Sequence, residues 1–289
     1  MEKTRSKKSP SGHDSSSLME TEIFSDSNEI RGTSLFLGRY TMSEVSAALS
    51  KRNFFKEAQK RKLWPLDFYL DSSEFPIQEF QIFYQRKKPE NMIVDLKIRE
   101  RVFRPGKEIE PQYSLPEYKF LFLEWLTLQN PLLNFSSERS PLPGQMHPGL
   151  NLGNKVLDIF LHLARLTKKD GLLAFPAYFH NALLFSRKFH FIDPKKQGEI
   201  LAIRKSLFQI PFKQMAWIVY LNCLKDKEGR IYEWKAEEMV FPINKALRKY
   251  FGSRAYKEKV KKTQERLKFN IDWICYKKQI EKEGLEKLP

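Results

Sequence analysis

The sequence predicts a mixed α/β (α+β) fold: a mostly antiparallel central sheet flanked by helices, followed by a basic, largely helical C-terminal extension. Three observations predict it. Two runs of alternating apolar and polar residues are joined by the turn-forming text RKKPEN (86–91). A Gly/Pro-rich loop ending near 153 runs directly into a segment with helical period, and the charged stretch from Lys245 onward keeps an apolar seam at helical spacing. Of the 289 residues, 41% are hydrophobic and 30% charged, which supplies a sizeable core and excludes a collagenous, coiled-coil or wholly disordered chain.

Residues 1–33 are rich in Ser, Lys, Asp and Glu and are expected to form a disordered tail, because so little apolar surface cannot offset the entropy of ordering. Their positive charge leads into no apolar segment, so no secretory signal is expected. TSLFLGRYT (33–41) reads as a short strand. Ser43 with Ser46 then opens one helical pattern through Val45, Leu49, Phe54, Phe55 and Ala58, which Trp64-Pro65 stops. FPIQEFQIFYQ (75–85) and NMIVDLKIRERVF (91–103) read as an antiparallel hairpin, and YKFLFLEWLTLQNP (118–131) as a central strand buried on both faces.

Val156, Ile159, Phe160, Leu163 and Leu166 then recur at helical period against polar Asp158, His162, Arg165 and Lys168, with Gly171 as the stop. GLLAFP (171–176) is a short strand, YFHNALLFSRKF (178–189) a helix leading into HFID (190–193), and KKQGEILAIRKSLF (195–208) a helix. QMAWIVYLNCL (214–224) and RIYEWKAEEMVF (230–241) read as a hairpin, although a helix fits the first run nearly as well. From Lys245 to about Glu283 the text is helical, interrupted near Gly252. The expected units are a tail (1–33), a domain (34–193) and an extension (194–289).

Net charge is 51 − 35 = +16, and ten Lys/Arg between Lys245 and Lys268 face only Glu258 and Glu265. Such a run is commonly a solvated helix face; functionally it fits an acidic partner or nucleic acid. No apolar run approaches the roughly 20 residues of a membrane span. Two cysteines, Cys223 and Cys275, are too few for a disulfide framework and form no CxxC pair, so a cytoplasmic protein with core-packed thiols is expected. The five histidines show no metal-ligand spacing, and no metal is expected.

Two stretches carry a family resemblance. HPGLNLGNKVL (147–157) is similar to the text RGxGIGxxLL, and ALLFSRKFHF (182–191) to AxxLYxxxGF, both of the GNAT N-acyltransferase superfamily. The chain departs from them at Pro148, Asn151, Ser186 and His190, so it resembles an atypical, divergent member. The resemblance implies acetyl-CoA or another acyl-CoA as co-substrate. Its pyrophosphate would lie on the backbone of Gly149, Leu150, Asn151, Leu152, Gly153, Asn154 and Lys155, and its thioester against the strand end at Leu128. The acceptor would be an amine-bearing small molecule or protein. Glu124 would be the general base. Ser186 occupies the position of the usual acidic tyrosine, a role that then falls to Ser186 itself, Tyr178 or water. His147 and His180 flank the motifs, and either is expected to be able to relay a proton. The rival readings are a catalytically inactive GNAT-like binding module and a basic nucleic-acid-binding protein.

Overall fold

The computed structural model describes residues 33–104, 117–136 and 139–284, so all but the last residue of the expected tail lies outside the described residues. The segment expected as a first strand is instead a tight turn. Phe36 bridges Tyr40, and Leu37 and Gly38 take left-handed φ values of 54° and 67°, which fold the chain back on itself. The buried Gln78 side chain fastens this turn: its amide donates to the Leu35 carbonyl (2.9 Å) and the Ser72 hydroxyl (2.7 Å), and its oxygen accepts from the Leu37 N–H.

Helix α1 (Met42–Lys51) starts on a capping box formed by Thr41 and Glu44. The single helix expected here is two, because Asn53 adopts φ 60° and breaks the ladder before α2 (Phe54–Lys60). Strand β1 (Leu66–Asp71), which the sequence reading missed, pairs antiparallel with β2 (Gln78–Tyr84). β2 pairs with β3 (Met92–Phe103) as the expected hairpin, and β3 with β4 (Tyr118–Leu128). The chain then crosses over through α3 (Gly153–Leu166) to β5 (Gly171–Ala174), which lies parallel to β4. Gly171 opens this strand rather than ending the helix; the chain leaves α3 through Lys168 at φ 53°.

There follow α4 (Phe179–Phe185), β6 (His190–Phe191), α5 (Pro194–Ser206), α6 (Phe212–Tyr220), β7 (Leu224–Asp226) and β8 (Met239–Pro242). α7 (Lys245–Gly252), α8 (Arg254–Arg266), β9 (Phe269–Ile271) and α9 (Trp273–Lys282) complete the described chain. The hairpin expected at 214–241 does not form. Its first run is α6, which begins after Pro211 and buries Met215 to Val219 in succession; a run apolar on every side has no period to separate helix from strand. Its second run yields one antiparallel bridge across the expected turn, Ile231 to Lys225, and then β8, whose partners are β5 and β6.

The seven strands of the main sheet run in the order β1-β2-β3-β4-β5-β8-β6, with β4–β5 the one parallel pair, while β7 and β9 form a separate two-stranded ribbon. Because β8 lies between β5 and β6, residues 34–193 and 194–284 build one sheet. Alternate residues face opposite cores, as strand geometry requires. Leu121, Leu123, Leu172, Ala174 and Met239 pack with apolar residues of α1 to α6. Phe120, Phe122, Leu173 and Val240 pack with Leu247, Tyr250 and Phe251 of α7 and Tyr256 of α8. The Tyr250 and Tyr256 hydroxyls donate to the Ile192 and Phe191 carbonyls (2.8 and 2.7 Å), tying this cover to the sheet margin. Among the described residues no helix is long and apolar enough to cross a membrane.

Candidate functional site

The parallel pair β4–β5 is short. Phe120 to Leu123 pair with Gly171 to Ala174, and the strands then part. At that point Lys97 pairs with Trp125 and Ile98 with Leu123, leaving Glu124 as the extra residue of a β-bulge. On the β5 side, among the described residues, β4 regains partners where the loop before α3 returns. There the Asn130 N–H donates to the Pro148 carbonyl (2.7 Å), the Leu150 N–H donates to the Leu128 carbonyl (3.3 Å), and Gln129 bridges Gly149. Glu124 to Thr127 therefore border a gap in the sheet about 13 Å long, at roughly 3.3 Å per residue.

The loop that closes the far end of this gap is anchored from below. The Trp217 indole donates to the Pro141 carbonyl (3.0 Å), and Gly144, at φ 76°, rests on the Tyr178 ring. A Cβ at 144 would lie 2.4 Å from the Tyr178 hydroxyl, so only glycine admits this contact. Asn151 at φ 58° then turns the chain into α3. Leu150 and Leu152 bury their side chains in the core, and Leu152, at the N-cap, offers the first turn of the helix no side-chain hydrogen bond. Asn151, Gly153, Asn154 and Lys155 are exposed, and a Cβ on Gly153 would meet nothing within 4 Å. The Lys155 ammonium lies 2.9 Å from Glu57 of α2. Hydrogen bonds from Arg61 first, then Lys155, hold the Glu57 carboxyl well below its usual range, at about 2.

The three residues expected to act on protons are not gathered at one point. The Arg99 Nε lies 2.6 Å from a Glu124 carboxylate oxygen but off hydrogen-bonding angle, and the Arg99 guanidinium lies over the Phe122 ring. Glu124 thus faces the α7–α8 side of the sheet, opposite α3 and α4. Tyr178 and Ser186 flank the two ends of α4, about 12 Å apart along its axis at 1.5 Å per residue. The Ser186 hydroxyl donates to the Leu183 carbonyl (2.7 Å).

Tyr178 stacks on His180, with ring centroids 5.4 Å apart, and both line a cleft of about 320 Å³ together with Tyr220, Asn222, Glu233 and Trp234. Burial pushes the His180 imidazole down to about 4, so it is neutral near pH 7 and a weak base. Sequence reasoning named Tyr178 and His180 but missed the other four, because α6, the turn after it and the segment before β8 supply them and no local pattern links those stretches. The Trp234 wall is pinned from behind. The buried Lys196 ammonium lies 4.5 Å over its ring and 2.6 Å from Glu199, which also accepts from the Tyr232 hydroxyl (2.6 Å). His147 stays partly exposed in the loop.

Cys223 and Cys275 are free thiols whose sulfurs face each other at 2.7 Å, and burial pushes the Cys223 thiol pKa up. Among the described residues no group of three or more His, Cys, Asp or Glu side chains is placed to hold a metal ion. Comparison of the chain with family models, curated proteins and solved structures finds no match.

Proposed function

We propose that the chain is an atypical GNAT-like N-acyltransferase of a reducing cytoplasm, which binds acetyl-CoA or another acyl-CoA and transfers the acyl group to an amine-bearing small molecule or protein. The observation that carries this reading is the gap where the lone parallel pair, β4 and β5, parts beside the first turn of α3. Ligands of open α/β sheets sit outside the carboxyl ends of the strands. Free N–H groups and the dipole at a helix N-terminus favour phosphate.

The fit is good at one end and altered at the other. Open space at Gly153 leaves room for a phosphate against the backbone of Asn151 to Lys155, with Lys155 exchanging Glu57 for the ligand. Leu150 and Leu128 already satisfy each other, so the pantetheine amides would meet the unpaired edge at Glu124 to Thr127 instead. Positioning supplies most of the catalysis. The amine nitrogen attacks the thioester carbonyl carbon and the C–S bond breaks. The departing sulfur takes a proton, and the proton lost by the amine passes to a base. Glu124 is engaged by Arg99 and Ser186 by Leu183. With both engaged, the proton passes to water, because burial leaves the His180 imidazole beside Tyr178 too weak a base to accept it. The committed Ser186 hydroxyl also favours a second reading, a module that binds acyl-CoA without turnover.

Calorimetric titration of acetyl-CoA into wild type and a Gly153→Glu variant tests the reading. Wild type should bind, and a folded variant should bind at least about tenfold more weakly, a difference of about 1.4 kcal/mol. No wild-type binding at millimolar ligand sinks both acyl-CoA readings. Turnover against an amine library then separates the enzyme from the inactive module.

A further inference from the structure

We propose that the outward face of α8, extended by α7, is a docking surface for double-stranded DNA, with its cations meeting the phosphates on both sides of the major groove. This does not depend on the acyl-transfer reading, because α7 and α8 cover the side of the sheet opposite α3 and α4. All ten Lys/Arg from Lys245 to Lys268 are exposed. Tyr256, Val260 and Thr263 turn inward against the core and α5.

At 3.6 residues per turn the remaining side chains of α8 sort into three rows. Glu258 and Glu265 run down the middle with Arg254. Lys257 and Lys261 flank them on one side, and Lys259, Lys262 and Arg266 on the other. Ion pairs tie Arg254 to Glu258 (2.6 Å) and Lys261 to Glu265 (3.9 Å), so the acidic row is held along the crest.

A helix about 20 Å long and 10–12 Å across matches the roughly 12 Å major groove of B-DNA. Two cationic rows then face two phosphate strands, and the central carboxylates face base edges, where Glu can accept from cytosine amino groups. The major groove of duplex RNA is too deep and narrow for this arrangement. No large apolar side chain is exposed between Lys245 and Lys268. The surface therefore lacks the aromatic or aliphatic anchors that membrane insertion and protein–protein hot spots require.

Fluorescence anisotropy of a 20-base-pair mixed-sequence DNA, titrated with the full chain between 50 and 200 mM salt, tests the proposal. Affinity should fall linearly on log–log axes. The slope for Lys257→Gln/Lys261→Gln should be shallower by about 1.8, at about 0.9 per phosphate contact. Lys51→Gln/Lys56→Gln, on exposed positions of α1 and α2, should leave the slope unchanged, and matching thermal midpoints identify both variants as folded. Absence of binding at 50 mM salt, or a slope unaltered in the first variant, overturns the proposal. So does equal affinity for an RNA duplex, or preferential binding of a polyglutamate peptide or anionic vesicles.

Discussion

His180 shows how a single residue can link the candidate site to stability. Its imidazole is buried against Tyr178, and desolvation alone lowers its pKa from 6.5 to about 4. As pH falls below about 6.5 the unfolded chain takes up this proton while the native chain does not, so native stability declines until the folded group titrates near 4. A full shift of this size corresponds to about 3 kcal/mol, at 1.36 kcal/mol per unit. His180→Phe keeps a ring against Tyr178 and removes the titration. Relative to this variant, wild type should lose up to about 3 kcal/mol between pH 7 and pH 4, read from urea midpoints at each pH. A constant difference would mean that the imidazole is solvated. Tyr178 and His180 could be named from the sequence because both lie beside a recognisable motif. Glu233 and Trp234 could not, because what makes them part of the cleft is packing against α4 and α6.

The contact between α5 and α8 is governed by one glycine. A Cβ at Gly198 would lie 2.6 Å from the Val260 carbonyl oxygen and from the Thr263 Cβ, and a backbone oxygen cannot swing aside. Alanine is the better helix former by about 1 kcal/mol. The steric conflict nonetheless decides the sign: Gly198→Ala should destabilise the protein by about 1–3 kcal/mol, the usual cost of overpacking. Chemical denaturation checks this, and a more stable variant would show that the two helices separate freely. The α5 text reads correctly as a helix from its spacing, and the structure adds an Asp193 N-cap ahead of Pro194. Its burial does not read from sequence, because Lys196 and Gln197 are buried along with Ile200 and Ile203. Lys196 is held by Glu199, and Gln197 accepts from the Phe191 N–H (3.0 Å), so polar residues inside this helix are satisfied rather than solvated. α6 fails in the opposite sense, since its apolar run is all-round and its period carries no information.

At the scale of the whole molecule, sheet order is what the sequence could not disclose. The hairpin of β2 and β3 was legible because alternating runs joined by a short turn pair locally, and the succession β4, α3, β5, though not its parallel pairing, because a Gly/Pro loop preceded a helical period. β8 enters between β5 and β6 after an excursion of more than sixty residues beyond β5, and nothing local announces a pairing made over that distance. A boundary at 193 would cut through this sheet. Without residues 194–289, β5 keeps β4 but loses β8 along Gly171 to Ala174, β6 loses β8, and the side carrying Phe120, Phe122 and Leu173 loses α7 and α8. An apolar edge left open in this way invites aggregation. A fragment comprising residues 1–193 should therefore be aggregated or show no cooperative thermal transition, whereas the full chain shows one. A soluble fragment with a sharp transition in calorimetry would mean that β1 to β5 close a core by themselves. The basic helices would then be an addition to the fold and not one of its walls, and the DNA surface would be detachable from the acyl-CoA gap.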